Sequence, residues 1–350
     1  MESQTDAATS QQTELKQEII DLARGMGIDK VGFTSKERLD DAPPSGDLTY
    51  VLPGARSAVS LAIAFDKTAI RAFLGKEDQL AHLNDHAAAY EKLGEVARAI
   101  EGLLKDNGYE ALAPFVNYQY RKDLPFLALA PPLSHRYVAV AAGIGWLGWS
   151  GNLITPEHGA AVAITSIVSS AALEPDPLAE GDHCKDCHLC TGVCSSYFIA
   201  AKEEESVSIA GHIHTHNKKA DNMRCVVTCG NCNGVRSPDA KWSTWSYKVL
   251  DLPGPEGDDE AFTQKVLEYS EDPKNRLLKQ TLKYFETVDL PDWEHFNQFN
   301  ENTFIKSRLF TCGNCMLICW PELEDRKENY RLLTTSGRVV KGDSGPVVVR

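Results

Sequence analysis

The residues of this chain best suited to chemistry are its ten cysteines, most of which lie in short groups. The first group has Cys-x2-Cys-x2-Cys-x3-Cys spacing and comprises Cys184, Cys187, Cys190 and Cys194. In the bacterial ferredoxin run of this spacing, three thiolates hold one [4Fe–4S] cluster and the fourth reaches a second cluster. A zinc site usually presents two separate Cys or Cys/His pairs and fits the spacing poorly. The spacing therefore predicts iron–sulfur ligation.

A second group resembles the tail half of the same motif, with Cys312, Cys315 and Cys319 followed by Pro321. A cluster bound by this half-motif needs a fourth thiolate from elsewhere in the chain. We therefore expect two clusters, each bound by cysteines from both groups. The first cluster is assigned to Cys184, Cys187, Cys190 and Cys319, and the second to Cys194, Cys312, Cys315 and one of Cys225, Cys229 and Cys232. The two remaining cysteines are then free thiols, alternative ligands or a small redox pair.

Composition limits the class of protein. The chain has 350 residues, of which 43% are hydrophobic and 24% charged, an ordinary globular mixture for one large or two modest domains. The net charge of −13 predicts no nucleic-acid partner. The polar N-terminus carries no leader motif, and no apolar run reaches the ~18 residues of a membrane span. We therefore expect a cytoplasmic protein with no membrane partner and with reduced thiols.

Hydrophobic periodicity predicts helices mixed with single strands, which indicates an α/β or α+β fold. Helices are expected over residues 13–26, 81–105 and 260–269, strands over 30–33, 58–65 and 347–349, and buried elements over 139–144 and 160–164. Residues 1–12 are polar and are expected to be a flexible N-terminus.

Two further patterns each allow two interpretations. The glycine-rich segment 142–159 could bring its backbone close to a ligand, or it could be a turn that packs two elements together. It matches neither a dinucleotide-binding loop nor a P-loop. The alternating His212, His214 and His216 could bind zinc with Cys229 and Cys232, but a solvated polar loop is the favoured interpretation.

The order and spacing of the glycine segment, the first cysteine run and the Cys-Gly-Asn-Cys-x3-Cys group resemble the epoxyqueuosine reductase and reductive dehalogenase superfamily, over roughly residues 28–320. This resemblance implies base-off cobalamin beside two [4Fe–4S] clusters. It also implies a nitroreductase-like α/β core with a ferredoxin-like module. By the same resemblance, Cys225 is the eighth cluster ligand, and the corrinoid is lined by Arg136, Gly143, Gly145, Trp146 and Gly148.

Changes in composition along the chain, together with the resemblance, predict a division into six parts. They are the flexible N-terminus 1–12, a corrinoid-binding core 13–180, the first part of the ferredoxin-like module 181–235, a helical insertion 236–305, the second part of the module 306–325 and a C-terminal tail 326–350.

Departures from the family pattern shape the predicted function. Epoxyqueuosine reductases have a catalytic aspartate where residues 126–132 of this chain carry no acid, which argues against queuosine synthesis. Reductive dehalogenases use a tyrosine as proton donor, for which Tyr137 and Tyr120 are candidates, with His135 nearby.

The favoured hypothesis is an oxidoreductase that removes a leaving group from a small molecule, as dehalogenases do. Electrons would pass from a ferredoxin or flavodoxin through two clusters to cobalt. The alternatives are an electron-transfer protein that reduces a partner's corrinoid, a member that keeps its clusters for structure alone and, least favoured, an epoxyqueuosine reductase.

Overall fold

The computed structural model describes residues 2–114, 120–125, 128–181, 184, 187–227, 252–254, 259–272, 279 and 312–350. Cys229, Cys232 and most of the expected insertion 236–305 lie outside these residues, as do two residues of the acid-free stretch 126–132.

The described helices and strands are numbered in chain order. The helices are α1 Glu2–Gly25, α2 Lys67–Leu74, α3 Gln79–Asp106, α4 His135–Ala141, α5 Leu189–Val193, α6 Asn222–Val227, α7 Asp259–Ser270, α8 Asn314–Leu317 and α9 Leu323–Thr335. The strands are β1 Lys30–Ser35, β2 Ser57–Ala64, β3 Ala111–Leu112, β4 Trp146–Leu147, β5 Leu153–Ile154, β6 Val162–Ser169, β7 Ile199–Ile209, β8 His212–Lys219, β9 Arg338–Gly342 and β10 Gly345–Val349.

Four strands form an antiparallel sheet in the order β1-β2-β6-β3. Side chains alternate along β2, so Val59 and Leu61 pack with α1, α2 and α3 on one face of the sheet. Ala58 and Ala62 pack with α4 and the glycine segment on the other face. Helices on both faces of one sheet make a mixed α/β fold, as the sequence predicted.

Several element boundaries differ from the expected ones. Helix α1 begins at Glu2 instead of residue 13, because the intervening residues contain no proline or glycine to stop a helix. The apolar run 139–144 divides between the end of α4 and a turn, and the run 160–164 contributes the start of β6. The expected strand 347–349 is part of β10, which pairs with β9 as a hairpin.

The β7–β8 hairpin is held to the core at both ends. At its tip, the Asp41 carboxylate accepts hydrogen bonds from the backbone N–H groups of Ala210 and Gly211, at 3.0 and 2.9 Å. At the far end, the Asn217 N–H donates to the carbonyl of Trp149 at 3.0 Å. These bonds hold β8 against the glycine segment.

Candidate functional site

Four cysteines from two distant parts of the chain line one cavity. Cys184, Cys187 and Cys190 come from the first cysteine run, and Cys319 follows α8. Trp149, Ser150 and Arg326 supply the rest of the polar and aromatic part of its wall. Four thiolates around one cavity are the ligand set of a [4Fe–4S] cluster.

Hydrogen-bond donors point at the sulfurs of this cavity. The backbone N–H of Trp149 donates to the Cys184 Sγ at 3.4 Å. The Arg326 guanidinium donates to the Cys187 Sγ at 3.6 Å and to the Cys184 carbonyl at 2.8 Å. It also donates to the carbonyls of Trp320 and Pro321, so one buried side chain joins the two cysteine motifs. Donors of this kind stabilise thiolate charge.

The electrostatics of the cavity favour protonated thiols. Burial raises the pKa of Cys319 to about 12, and Cys184 and Cys187 add to this rise while Arg326 opposes it. Burial also raises the pKa of Cys190, and four neighbouring cysteines raise it further. Iron binding would therefore have to displace these protons, as is usual when a metal binds cysteine.

Three cysteines assigned to the second cluster also lie together. Burial raises the pKa of Cys315 to about 11, with Cys312 and Cys194 as the next largest causes. The Asn152 amide donates to the Cys315 Sγ at 3.3 Å.

Helix α6, which carries Cys225, packs beside the segment that contains Cys194 and Ser196. The neighbouring Arg224 is buried, donates to the Ser196 carbonyl at 3.3 Å and pairs with Asp259 at 2.8 Å. The Ser196 hydroxyl is 3.9 Å from the Cys194 Sγ. Cys225 therefore sits on an element packed near Cys194, while Cys229 and Cys232 lie outside the described residues.

One glycine of the glycine segment positions the second motif. Gly159 closes a turn in which its N–H donates to the Thr155 carbonyl, and it has a φ of +62°. A Cβ at this position would lie 2.2 Å from the Cys319 carbonyl oxygen, and the next residue, Ala160, donates its N–H to that same oxygen at 2.7 Å. The turn thus fixes the backbone of a candidate ligand.

Among the described residues, no three His, Cys, Asp or Glu side chains surround one point as the ligands of a single metal ion do. A cluster distributes its thiolates over several irons, so they line a cavity instead. The donor set and its arrangement therefore fit a cluster.

A larger cavity of about 410 Å³ adjoins the first one, with Cys184 on the wall of both. Trp146 and Trp149 supply its aromatic side, and the His188 ring stacks on Trp149 with centroids 4.0 Å apart. The remaining lining residues are Leu147, Ala179, Gly181, His212, Ile213, His214 and Thr215. Flat aromatic walls next to a cluster ligand suit a planar organic group.

Histidines of β8 belong to this cavity. His212 and His214 line it, whereas His216 is buried, with its Nδ1 2.9 Å from the Asn217 carbonyl. The solvated loop expected for these residues is therefore wrong, because they occupy a paired strand. Strict alternation of His with Ile213 and Thr215 was the available signal, since side chains on one face of a strand recur at every second residue.

Most of the residues expected to bind the corrinoid do not line the larger cavity. Trp146 does, but a Cβ on Gly143 would lie 2.0 Å from the Pro177 carbonyl oxygen. A Cβ on Gly145 would lie equally close to the Ile154 carbonyl oxygen, and one on Gly148 would meet the Ile154 side chain at 2.1 Å. These glycines permit close packing of the chain on itself, and their role in corrinoid binding stays a prediction.

The expected proton donors also lie away from this cavity. His135 begins α4 and is buried, which lowers its pKa to about 4. Tyr137 is half-buried, and burial raises its pKa. Tyr120 is half-buried outside the cavity wall, and Arg136 is exposed and donates to the Gly151 carbonyl at 3.1 Å. Catalytic roles for these residues stay predictions.

No protein-family model matches the chain. The epoxyqueuosine reductase of Bacillus cereus is 28% identical over 207 residues, which cover 52% of this chain and 51% of that protein. The epoxyqueuosine reductase of Bacillus subtilis is 27% identical over 204 residues. The tetrachloroethene reductive dehalogenase of Dehalobacter restrictus is 29% identical over 177 residues, 46% of this chain and 29% of that protein. The chain spans about half the length of the curated epoxyqueuosine reductases it matches.

Solved structures of an epoxyqueuosine reductase and of a reductive dehalogenase are also similar to this chain. An epoxyqueuosine reductase with an epoxyqueuosine-modified tRNA-Tyr stem loop is 18% identical, with a TM-score of 0.43 over 92% of this chain and 81% of that chain. The catabolic reductive dehalogenase NpRdhA with 3-bromo-4-hydroxybenzoic acid is 15% identical, with a TM-score of 0.48 over 91% of this chain and 34% of that chain.

The chain is similar in sequence to curated epoxyqueuosine reductases and to a reductive dehalogenase, which supports the superfamily that its motifs predicted. Within that superfamily, its curated relatives at 27–29% identity include several epoxyqueuosine reductases. All these relatives are reductases by name, in agreement with the predicted oxidoreductase class.

Two predictions are corrected by these relatives. The dehalogenase-like function is contradicted, because curated epoxyqueuosine reductases match 52% of the chain and the reductive dehalogenase matches 46%. A missing acid in one short stretch does not exclude that class, since another segment can bring a proton donor to the same site. The exclusion of nucleic acid is also contradicted, because the curated relatives are epoxyqueuosine reductases, enzymes that act on tRNA. Net charge averages over the whole surface, whereas binding depends on local charge.

The described helices include none that combines the length and the apolar character needed to cross a membrane.

Proposed function

We propose that this protein is an iron–sulfur and corrinoid-dependent reductase of the epoxyqueuosine reductase type, which reduces an epoxide carried by a tRNA nucleoside. The observation that carries the proposal is the convergence of Cys184, Cys187, Cys190 and Cys319 on one cavity. The names of the curated relatives supply the substrate class.

In this proposal the first cluster is held by those four cysteines and the second by Cys194, Cys225, Cys312 and Cys315. Residues 13–180 form the cofactor-binding core, and residues 181–235 and 306–325 form the cluster module. The larger cavity beside Cys184 is the proposed corrinoid and substrate region, supported by its aromatic walls. When bound, the clusters and the corrinoid would supply low-potential electrons at this place.

The chain's own residues would then position and tune these groups. Arg326 and the Trp149 N–H hold thiolate charge at the first cluster, and Asn152 does so at the second. The stacked Trp149 and His188 form a rigid wall between the first cluster and the larger cavity. Reduction of an epoxide by two electrons also consumes two protons, so this region must admit a proton donor.

The proposal is tested in two steps on protein purified without oxygen and loaded with iron, sulfide and hydroxocobalamin. We expect about eight irons per chain, [4Fe–4S] signals on reduction and a retained corrinoid. With a chemical reductant, the loaded protein should convert an epoxyqueuosine-containing tRNA stem loop to queuosine, detected by mass spectrometry of the nucleosides. The Cys187→Ser variant serves as the inactive control. Iron-loaded protein that leaves the stem loop unchanged would overturn the proposed reaction, and a chain that holds no cluster would overturn the whole proposal.

A further inference from the structure

His212 and His214 reach the larger cavity from a strand fixed on two sides. The Asp41 carboxylate holds the hairpin tip, and the bond from Asn217 to the Trp149 carbonyl holds the opposite end. In the strand register His212 pairs with Ile209 and His214 with Val207, so both imidazoles leave the same face of β8. The two side chains therefore have defined positions beside Cys184 and the tryptophans.

His214 has an unused hydrogen-bonding group. Its Nε2 is buried and has no hydrogen-bond partner among the described residues. Buried polar atoms in folded proteins are nearly always paired, so an unpaired one on a cavity wall is a place for a ligand atom. His212 lies two residues before His214 on the same strand. It is exposed and connects the same cavity wall to solvent.

The cavity wall favours an oxygen atom as that ligand. None of the lining residues is an aspartate or glutamate, and the polar groups of the side chains are three imidazoles, two indoles, one hydroxyl and the Cys184 sulfur. Imidazole can donate a hydrogen bond to an ether or alkoxide oxygen and can release a proton to it. A wall of this kind suits a substrate oxygen that gains negative charge as its bond to carbon breaks.

We propose that His212 and His214 form the oxygen-binding, proton-donating wall of the reduction site. This inference rests on the proposed function. His214 donates a hydrogen bond to the epoxide oxygen and passes its proton to that oxygen as the carbon–oxygen bond breaks. His212 returns a proton to His214 from solvent. An external low-potential one-electron donor supplies the two electrons in two steps, and the solvent supplies the second proton. The remaining carbon–oxygen bond then breaks, the oxygen leaves as water, and a double bond forms between the two carbons.

Several charged or titratable groups surround His214 and must be considered in its pH dependence. His212 and His216 lie on the same strand, Asp41 lies at the hairpin tip, and Cys184 and His188 lie on the same cavity wall. Burial lowers the pKa of His214, the two strand histidines lower it further, and Asp41 raises it. Because the pKa of His214 lies below the ordinary value of about 6.5, activity that depends on protonated His214 should be highest in acid and fall as the pH rises towards 6.5.

The test compares His214→Gln, His214→Leu and His212→Gln in the loaded protein. Glutamine keeps a hydrogen-bond donor but cannot release a proton, so His214→Gln should lower the rate of stem-loop reduction about 100-fold with little change in KM. It should also remove the pH dependence of the rate. His212→Gln should lower the rate less and make it sensitive to added imidazole buffer. Lys218→Gln, an exposed change on the same strand outside the cavity wall, is the matched control and should behave as the wild type.

Binding gives a second measurement that needs no turnover. Wild-type protein should bind an epoxide-bearing stem loop more tightly than an unmodified one, measured by fluorescence anisotropy. His214→Leu should lose most of that preference, roughly 10-fold, while His214→Gln keeps it. Wild-type rates, pH profile and binding preference in all three histidine variants would overturn this assignment and leave the proposed function intact. A loaded wild-type protein that neither prefers nor reduces the epoxide would overturn both.

Discussion

The guanidinium of Arg326 lies 3.6 Å from the Sγ of Cys187, although Arg326 lies on α9, beyond the second cysteine motif, and Cys187 belongs to the first. The same group donates to the carbonyls of Cys184, Trp320 and Pro321. A single buried cation therefore stabilises the negative charge of the proposed first cluster and fixes the loops that would hold it.

Replacing Arg326 should lower the reduction potential of the first cluster. Reduction adds a negative charge, which the cation and its hydrogen bond to Cys187 stabilise. A charge-assisted hydrogen bond of about 1.5 kcal/mol corresponds to about 60 mV for one electron, so Arg326→Gln should shift the potential negatively by up to that amount. Redox titration followed by EPR measures the shift. Arg326→Lys keeps the charge and should show a smaller one, and the exposed Lys327→Gln should show none. Equal potentials in all four proteins would exclude a tuning role for Arg326.

Alanine at the proposed ligands should remove one cluster at a time. Cys319→Ala should lose the first cluster and Cys225→Ala the second, so each should reduce the iron content from about eight to about four per chain. Iron analysis together with EPR of the reduced protein distinguishes the two losses. If Cys229→Ala or Cys232→Ala removes the second cluster and Cys225→Ala does not, the eighth ligand has been assigned to the wrong residue.

Gly159→Ala should displace the backbone of the second cysteine motif, because the added Cβ overlaps the Cys319 carbonyl as well as straining the backbone. Gly159 and Gly211 both have positive φ, but a Cβ at Gly211 meets no other atom within 4 Å, whereas one at Gly159 would overlap the Cys319 carbonyl. Gly211→Ala should cost about 1 kcal/mol of stability and keep its iron. Gly159→Ala should cost more and lose iron from the first cluster, as measured by thermal unfolding and iron analysis. Matching behaviour of the two variants would show that the contact with Cys319 does not matter.

Two buried histidines should make the protein sensitive to acid. Burial lowers the pKa of both His82 and His135 to about 4, from an unfolded value near 6.5. The unfolded chain therefore binds more protons between these values, so stability is complete above about pH 6.5 and falls as the pH drops towards 4. Each histidine should contribute about 1.4 kcal/mol to the loss between pH 7.5 and 5.5.

Urea unfolding at these two pH values checks this expectation. His82→Gln and His135→Gln should each lose less stability on acidification than the wild type, whatever their stability at pH 7.5. An unchanged pH dependence in both variants would mean that neither imidazole is kept neutral by the fold.

Local sequence predicted a helix or strand wherever the residues of that one segment carry the whole pattern. Hydrophobic periodicity predicted β2 and most of α3, because the periodicity depends on neighbours along the chain. The start of α1 was placed too late, because a polar stretch without breakers gives no local stop signal. The insertion 236–305 lies largely outside the described residues.

For the site, the sequence by itself determined which atoms are available. The spacing of Cys184, Cys187 and Cys190 puts three thiols on one loop, and the glycines mark where the backbone packs closely. Only the tertiary structure decided which distant groups join them. Cys319, Arg326 and the β8 histidines reach the same region through the packing of separate elements, and no local pattern encodes such long-range contacts.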